Sequence, residues 1–240
     1  MQSMKGQVVI ITGGASGYGK ATARVFRNEG ALVIVTDIDQ SALNETSREL
    51  DGIEAYHQDV TSWADWERLF KSVMEKHGHV DVLVNNAGGA IVVADTVDQE
   101  VGVIDRILAL NLNSVVYGCK LFGKQMKAQR SGTIVNISSS CATEAWPKFS
   151  VYAAAKSGVV SLSKGLYTEL RPFNVRVTAV IPGAGSTNFS KNAALPEPAV
   201  PYALKPEDMA EVILHICRMP PHIEVEEYRF WGTDQEVIPM

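Results

Sequence analysis

The feature that most constrains the fold is an alternation of short apolar runs with longer segments of helical periodicity. The first run, residues 7–12, is almost continuously apolar, which is typical of a strand buried on both faces of a sheet. These runs lie at residues 7–12, 31–36, 53–57, 80–85, 133–138, 175–181 and 223–230. The helical patterns lie at residues 17–28, 41–50, 63–73, 101–126, 151–170 and 207–218. The alternation therefore predicts an α/β fold, with a doubly wound parallel sheet that carries helices on both faces.

Composition narrows the classes of protein to which the chain can belong. Its 240 residues fit a single domain, 1–240, and a hydrophobic content of 46% supplies a core. A net charge of −5 without a basic stripe argues against nucleic-acid binding. Apolar runs such as Val8–Ile11 are too short for a signal peptide or membrane span, so no membrane association is expected. Three scattered cysteines fit free thiols in the cytoplasm, and no histidine or cysteine cluster has metal-ligand spacing, so no metal is expected.

A glycine-rich turn, residues 12–19, lies between the first predicted strand and the first predicted helix. Glycines permit a tight turn and a close approach of backbone, and the helix N-terminus offers unpaired N–H groups to a pyrophosphate. The stretch Gly14–Lys20 also resembles the phosphate loop of ATP- and GTP-binding proteins. That loop requires Ser or Thr directly after its lysine, and Ala21 stands there, so a dinucleotide is favoured over a nucleoside triphosphate.

Asp37 ends the second predicted strand, 18 residues after Gly19. A carboxylate at this point can accept hydrogen bonds from the ribose hydroxyls of adenosine. It would also repel a 2′-phosphate, since like charges 4 Å apart cost about 4 kcal/mol at an effective dielectric constant near 20. Neither Ser16 nor Ile38 is basic, so the sequence favours NAD over NADP. An acid that merely begins the next helix is the structural alternative.

Tyr152 and Lys156 stand four residues apart on a predicted helix, which stacks the phenol and the ammonium on one face. Lowering the pKa of a tyrosine from about 10 to about 7 requires about 4 kcal/mol. An exposed ion pair contributes under about 1 kcal/mol, so a second positive group and a dry site are needed. A solvated pair on a helix surface is the alternative.

Taken together, these residues resemble the short-chain dehydrogenase/reductase family, of the compact single-domain type with a Rossmann fold. The likeness runs from Gln7 to about Asn188. The positions that carry it are Thr12, Gly13, Gly17 and Gly19, Asp59 and Val60, Asn85 to Gly88, Asn111, Ser139, Tyr152, Lys156, Pro182, Gly183 and Thr187.

The resemblance implies a role for each of these positions. Tyr152 would be the general acid/base, Lys156 would lower its pKa and bind the nicotinamide ribose, and Ser139 would hydrogen-bond the substrate oxygen. Asn111 would hold a water that relays protons. The implied NAD-binding residues are Gly13, Ser16, Gly17, Tyr18, Gly19, Asp37, Ile38, Asp59, Val60, Asn86, Ala87, Gly88, Tyr152, Lys156, Pro182, Gly183 and Thr187. Ser139 and its serine neighbours could instead cap a strand, and Asn111 could be a buried polar group.

The function implied is an NAD-dependent alcohol dehydrogenase or carbonyl reductase that acts on a secondary alcohol. Ser139, Tyr152 and Trp146 would contact the substrate, and a substrate loop would cover about residues 183–205. The alternatives are a non-catalytic dinucleotide sensor and an NAD-dependent epimerase or dehydratase, which usually has a larger C-terminal substrate domain. The family also implies a homodimer or homotetramer, although the segment Glu224–Met240 lacks the family's usual ending.

Overall fold

The computed structural model describes residues 1–144, 146–186, 203–233 and 235. Within these ranges seven strands form one parallel sheet. They are β1 (Val8–Thr12), β2 (Leu32–Asp37), β3 (Glu54–His57), β4 (Val82–Asn85), β5 (Gly132–Ile137), β6 (Val175–Pro182) and β7 (Glu227–Phe230). Their order across the sheet is β3-β2-β1-β4-β5-β6-β7. The predicted α/β class, a doubly wound parallel sheet, is confirmed.

Helices cover both faces of this sheet. They are α1 (Gly17–Asn28), α2 (Gln40–Glu49), α3 (Trp63–His77), α4 (Val101–Leu108), α5 (Ser114–Gln129), α6 (Ser150–Leu170) and α7 (Pro206–Arg218). On one face, α1 and α7 enclose a core that contains Phe26. On the other face, α3, α5 and α6 enclose a core around Trp66 and Phe122, whose rings lie 6.3 Å apart. Trp66 is therefore part of the core on this face.

Two elements differ from the sequence prediction. The helix expected over residues 101–126 is divided by a π-helical turn at Ala109–Asn113, which separates α4 from α5. π-Helix occurs mostly as single turns inside α-helices, so the sequence prediction treats the whole segment as one α-helix. The last strand is also shorter than the predicted 223–230, and it begins only at Glu227.

The sheet has a point at which the strand order reverses. β1 pairs with β2 on one side and with β4 on the other. The chain therefore leaves the carboxyl end of β1 towards one face and that of β4 towards the other. Open α/β sheets bind ligands in the crevice outside such a point. The turns after β1, β2, β4, β5 and β6 surround that crevice here.

Candidate active site

A cleft of about 560 Å³ opens at the carboxyl ends of the strands. This volume lies within the range of small-molecule and cofactor sites. Most residues that the sequence assigns to cofactor or substrate line it: Gly13, Ser16, Gly17, Tyr18, Asp37, Ile38, Asn86, Ala87, Gly88, Ser139, Trp146, Tyr152, Lys156, Pro182 and Gly183. The fold therefore brings together residues from both halves of the chain.

The glycine-rich turn forms one wall of the cleft. Gly13 has a φ of +64°, and a Cβ there would lie 3.0 Å from Ala87 Cα. Gly19 is buried and does not line the cleft. A Cβ at position 19 would clash with the carbonyl oxygen of Gly13. The N-cap of α1 is Ser16, whose side chain makes no capping hydrogen bond. The first N–H groups of α1 therefore remain available to an anion such as a pyrophosphate.

Thr12 joins this turn to the segment after β4. Its hydroxyl oxygen accepts hydrogen bonds from the backbone N–H groups of Asn86 and Ala87, both at 3.0 Å. The Asn86 side chain donates in return to the carbonyl oxygen of Thr12 at 2.8 Å. The sequence places Thr12 in the motif without a role of its own. The structure shows that it fixes the distance between two walls of the cleft.

Asp37 projects at the end of β2, and it does not cap the helix that follows. Its carboxylate accepts hydrogen bonds from the N–H groups of Ala15 and Asp39, each at 3.1 Å. The cap of α2 is instead Asp39, which accepts from the N–H groups of Ser41 and Ala42. Asp37 is therefore not an acid that begins the next helix, which was the structural alternative.

The cleft near Asp37 lacks described basic side chains that could bind a 2′-phosphate. Its neighbour Ile38 is 63% exposed. Among the residues that line the cleft, in the part of the chain that the structure describes, Lys156 is the only lysine or arginine. Lys156 belongs to the opposite end of the cleft, together with Tyr152. No described lysine or arginine therefore lines the cleft at the Asp37 end.

Tyr152 and Lys156 meet at the start of α6, and both are almost completely buried, with exposures of 8% and 3%. The Lys156 ammonium lies 5.7 Å from the centre of the Tyr152 ring and donates to the carbonyl oxygen of Ile137 at 3.0 Å. This burial excludes the alternative of a solvated pair on a helix surface. Both groups are shielded from solvent, which is the condition needed to lower the pKa of a tyrosine with the help of a nearby cation.

Burial controls the ionisation of both groups. It raises the pKa of Tyr152, and the nearby Cys141 raises it further, whereas the hydrogen bond with the Ser139 hydroxyl lowers it. Burial also lowers the pKa of Lys156 to about 8. In the protein alone, desolvation therefore keeps Tyr152 protonated, because it outweighs the favourable neighbours. An additional positive charge near the phenol is needed to form a tyrosinate, as the sequence argument expected.

Asn111 lies in the π-helical turn and is completely buried. Its side-chain oxygen accepts from the N–H of Gly89 at 3.0 Å, and its Nδ2 donates to the carbonyl oxygens of Gly89 and Ile107. It does not line the cleft, but a Cβ on Gly88 would meet both its Oδ1 and the Lys156 Nζ. Asn111 thus holds the backbone against which Lys156 rests.

Besides Gly19, two of the predicted cofactor residues lie outside the lining of the cleft. Asp59 and Val60 do not line the cleft. The Asp59 carboxylate accepts from the N–H of Thr61, and the carbonyl oxygen of Val60 accepts from the Trp66 indole, so both residues organise the start of α3. Thr187 lies outside the described residues, as does most of the predicted substrate loop.

The cleft also contains a residue that the sequence analysis did not assign. Gln235 lines it, and its side-chain oxygen accepts from the N–H of Ala184 at 2.7 Å. Beside it, the N–H of Gly183 donates to the carbonyl oxygen of Phe230 at 2.8 Å. The C-terminal segment therefore holds the backbone that follows β6. No local motif predicts this contact, because its partners are 51 positions apart in the sequence.

The end of the cleft near Tyr152 is mainly apolar. Leu110, Cys141, Trp146 and Phe149 line it, and the Phe149 ring packs edge-on to the Tyr152 ring at 6.2 Å. No group of three or more potential metal ligands occurs among the described residues. Within the same residues, no helix is long and apolar enough to cross a membrane.

Comparisons with known proteins agree with this geometry. The sequence profile of the family described as short chain dehydrogenase matches residues 7–197. A 3-oxoacyl-[acyl-carrier-protein] reductase from Thermotoga maritima is 36% identical over 89% of this chain and 91% of its own length.

Two solved structures have nearly the same fold. A serine dehydrogenase complexed with NADP+ superposes with a TM-score of 0.89 at 29% identity, over 96% of each chain. A 3-ketoacyl-(acyl-carrier-protein) reductase from Brucella melitensis complexed with NADH also gives a TM-score of 0.89, at 30% identity over 96% of this chain and 99% of that one. The two similar structures thus hold different nucleotides, so likeness alone does not decide between NAD and NADP.

Proposed function

Since the chain belongs to the short-chain dehydrogenase family of oxidoreductases, we propose that it interconverts a secondary alcohol and its ketone with NAD(H) as the cofactor. The observation that carries the proposal is the buried group of Ser139, Tyr152 and Lys156 at one end of a cleft whose other end presents Asp37. A dry acid–base group beside a dinucleotide-shaped cleft is suited to proton transfer coupled to hydride transfer.

The glycine-rich turn and the Asn86–Gly88 segment would hold the dinucleotide, and the geometry of both suits it. The start of α1 has no side-chain cap, and Gly13, Ser16 and Gly17 of the turn line the cleft. Asp37 would accept the ribose hydroxyls of adenosine. When bound, NAD(H) would supply hydride transfer between the alcohol and the ketone.

The protein's own groups would handle the proton. Tyr152 Oη would donate a proton to the oxygen of the ketone during reduction and would remove it from the alcohol during oxidation. Ser139, which is hydrogen-bonded to Tyr152, would orient the substrate oxygen. Lys156 would stabilise the tyrosinate by its charge, from beneath the ring. Trp146 and Phe149 would pack against the apolar part of the substrate.

The preference for NAD rests on charge. The Asp37 carboxylate faces the cleft, and no described lysine or arginine lines its end. A 2′-phosphate would meet unbalanced repulsion of about 4 kcal/mol per charge pair, on the estimate for charges 4 Å apart. The ribose hydroxyls of NAD would instead donate to the same carboxylate.

The proposal is tested by measuring NADH oxidation with a panel of ketones and NAD+ reduction with a panel of secondary alcohols. NADPH and NADP+ are run in parallel, and Tyr152→Phe protein supplies the background. We expect turnover with at least one ketone or alcohol and a clear preference for the cofactor without a 2′-phosphate. Tight NADH binding without turnover on any substrate would favour a dinucleotide sensor. Interconversion of stereoisomers without net change in NADH would favour an epimerase.

A further inference from the structure

Tyr18 carries a polar group that the proposed roles leave unused. It is the second residue of α1, and its side chain lines the cleft. Its hydroxyl oxygen is inaccessible to solvent, and it has no hydrogen-bond partner among the residues that the structure describes. Buried hydroxyl groups nearly always have a partner, and an unpaired one costs free energy. A hydroxyl of this kind in a ligand cleft is a candidate contact for the ligand.

Gly185 leaves space for this hydroxyl. A Cβ at position 185 would collide with the Tyr18 hydroxyl oxygen, so the phenol extends into the volume that a side chain would fill. The backbone at Gly185 is fixed by a bridge to Leu204, and the N–H of Ser186 donates to the carbonyl oxygen of Leu204 at 2.8 Å. The ring therefore spans the cleft from the glycine-rich turn to a held segment after β6.

The surroundings of Tyr18 keep its hydroxyl protonated. Burial raises its pKa, and the carboxylate of Asp208, near the start of α7, raises it further. A protonated phenol is a hydrogen-bond donor at every pH at which the protein would be assayed. The missing partner of Tyr18 is therefore best supplied by an acceptor.

The position of Tyr18 identifies which part of the ligand supplies this acceptor. The free N–H groups of α1 already serve the pyrophosphate, and the reacting ring must lie next to Tyr152. Tyr18 belongs to the first turn of α1, lines the same cleft as Tyr152, and is near enough to that residue to influence its pKa. The negative charge of Asp208 disfavours an anionic acceptor at this point and favours a neutral one. The carboxamide of nicotinamide offers such a neutral oxygen.

We propose that the Tyr18 hydroxyl donates a hydrogen bond to the carboxamide oxygen of the bound nicotinamide and so fixes the orientation of the ring. The inference rests on the proposed function, because it requires that the cleft binds NAD(H). Tyr18 is a positioning residue in this account, and it takes no part in the proton transfer at Tyr152.

The test compares the affinity of two ligands for Tyr18→Phe protein. NADH contains the carboxamide, whereas ADP-ribose has the adenosine, the pyrophosphate and the second ribose without nicotinamide. We expect the Kd of NADH, measured by its fluorescence, to rise about tenfold, as for the loss of one buried hydrogen bond. The Kd of ADP-ribose, measured by calorimetry, should stay within about twofold. Tyr228→Phe is the control, because Tyr228 packs against the same core as Tyr18 but does not line the cleft.

Each outcome bears on a separate claim. Unchanged NADH affinity in Tyr18→Phe would overturn the inference and make the hydroxyl a packing group. Equal weakening of NADH and ADP-ribose would also overturn it, because the hydroxyl would then serve the pyrophosphate. Failure of the wild-type protein to bind NADH would overturn the proposed function, and the inference with it. If the wild-type protein binds NADH, a failure of the inference about Tyr18 can be distinguished from a failure of the proposed function.

Discussion

The starts of α1 and α6 each place a buried tyrosine in the same cleft, but they give the two phenols opposite surroundings. Burial raises the pKa of both Tyr18 and Tyr152. Beside Tyr18 stands the Asp208 carboxylate, which raises the pKa further. Beside Tyr152 stand the Ser139 hydroxyl, which lowers the pKa, and the Lys156 ammonium at 5.7 Å from the ring centre. Identical side chains thus become a fixed donor in one region and a candidate acid–base group in the other.

This difference implies a division of tasks along the cleft. The region of β1, β2 and α1 presents glycines, uncapped N–H groups and the Asp37 carboxylate, which suit binding of a dinucleotide. The region of β5 and α6 presents a serine, a tyrosine and a lysine, which suit movement of a proton. A change in one region should therefore alter binding, and a change in the other should alter turnover.

The largest expected effect is that of Tyr152→Phe, which removes the proton donor and keeps the ring. We expect kcat to fall by about 10²-fold or more, with the Kd of NADH within a few-fold of wild type. Tyr18→Phe should give the reverse pattern, with weaker NADH binding and most of kcat retained at saturating cofactor. Steady-state rates and NADH titrations of both variants check this, and more than about a tenth of wild-type kcat in Tyr152→Phe would contradict the assignment of Tyr152.

The next effect concerns cofactor choice. Asp37→Ser removes the charge that repels a 2′-phosphate, and Ile38→Arg adds a planar donor group for it. The double variant should gain kcat/KM with NADPH and lose it with NADH, changing the ratio by about 10²-fold or more on the estimate for one charge pair. Because the change lies in the binding region, kcat at saturating cofactor should be nearly constant. An unchanged ratio, or a wild-type preference for NADPH, would show that Asp37 does not select the cofactor.

A smaller effect follows from the burial of Lys156. Its pKa is about 8 in the folded protein and near its usual value of about 10.4 in the unfolded chain, so the unfolded state binds more protons between these values. The free energy of unfolding should therefore increase from pH 8 to about 10, relative to that of a Lys156→Met variant. Below pH 8 the ammonium is charged in both states, and the difference should be constant. Urea unfolding at several pH values measures this, and a flat difference across the range would show that Lys156 is not desolvated.

The sequence predicted the parts of this molecule whose signals are local. The strand alternation gave the sheet, and the motifs at the ends of β1, β4 and β5 gave most of the residues that line the cleft. Whether Asp37 caps α2 could be settled only by coordinates, because Asp39 lies two residues away and is an equally suitable capping residue.

Contacts between distant segments were beyond the sequence analysis. Gln235 reaches Ala184 across 51 positions, and the hydroxyl of Tyr18 fits a space left by Gly185. Asp59 and Val60 matched a motif, yet the fold turns them towards α3, because their polar groups bind Thr61 and the Trp66 indole. The contacts of Gln235 and Tyr18 depend on tertiary packing, which no spacing in the sequence encodes.

The most direct test of the contrast between the two tyrosines is an ultraviolet difference titration of their phenols, with and without NAD+. Wild-type, Tyr152→Phe and Tyr18→Phe proteins are titrated together, so that each subtraction isolates one residue. We predict that Tyr152 ionises at a lower pH when NAD+ is bound, because the positive nicotinamide adds to the charge of Lys156, and that Tyr18 stays protonated throughout. Equal apparent pKa values of Tyr152 with and without NAD+, or ionisation of Tyr18 in the same range, would contradict the account.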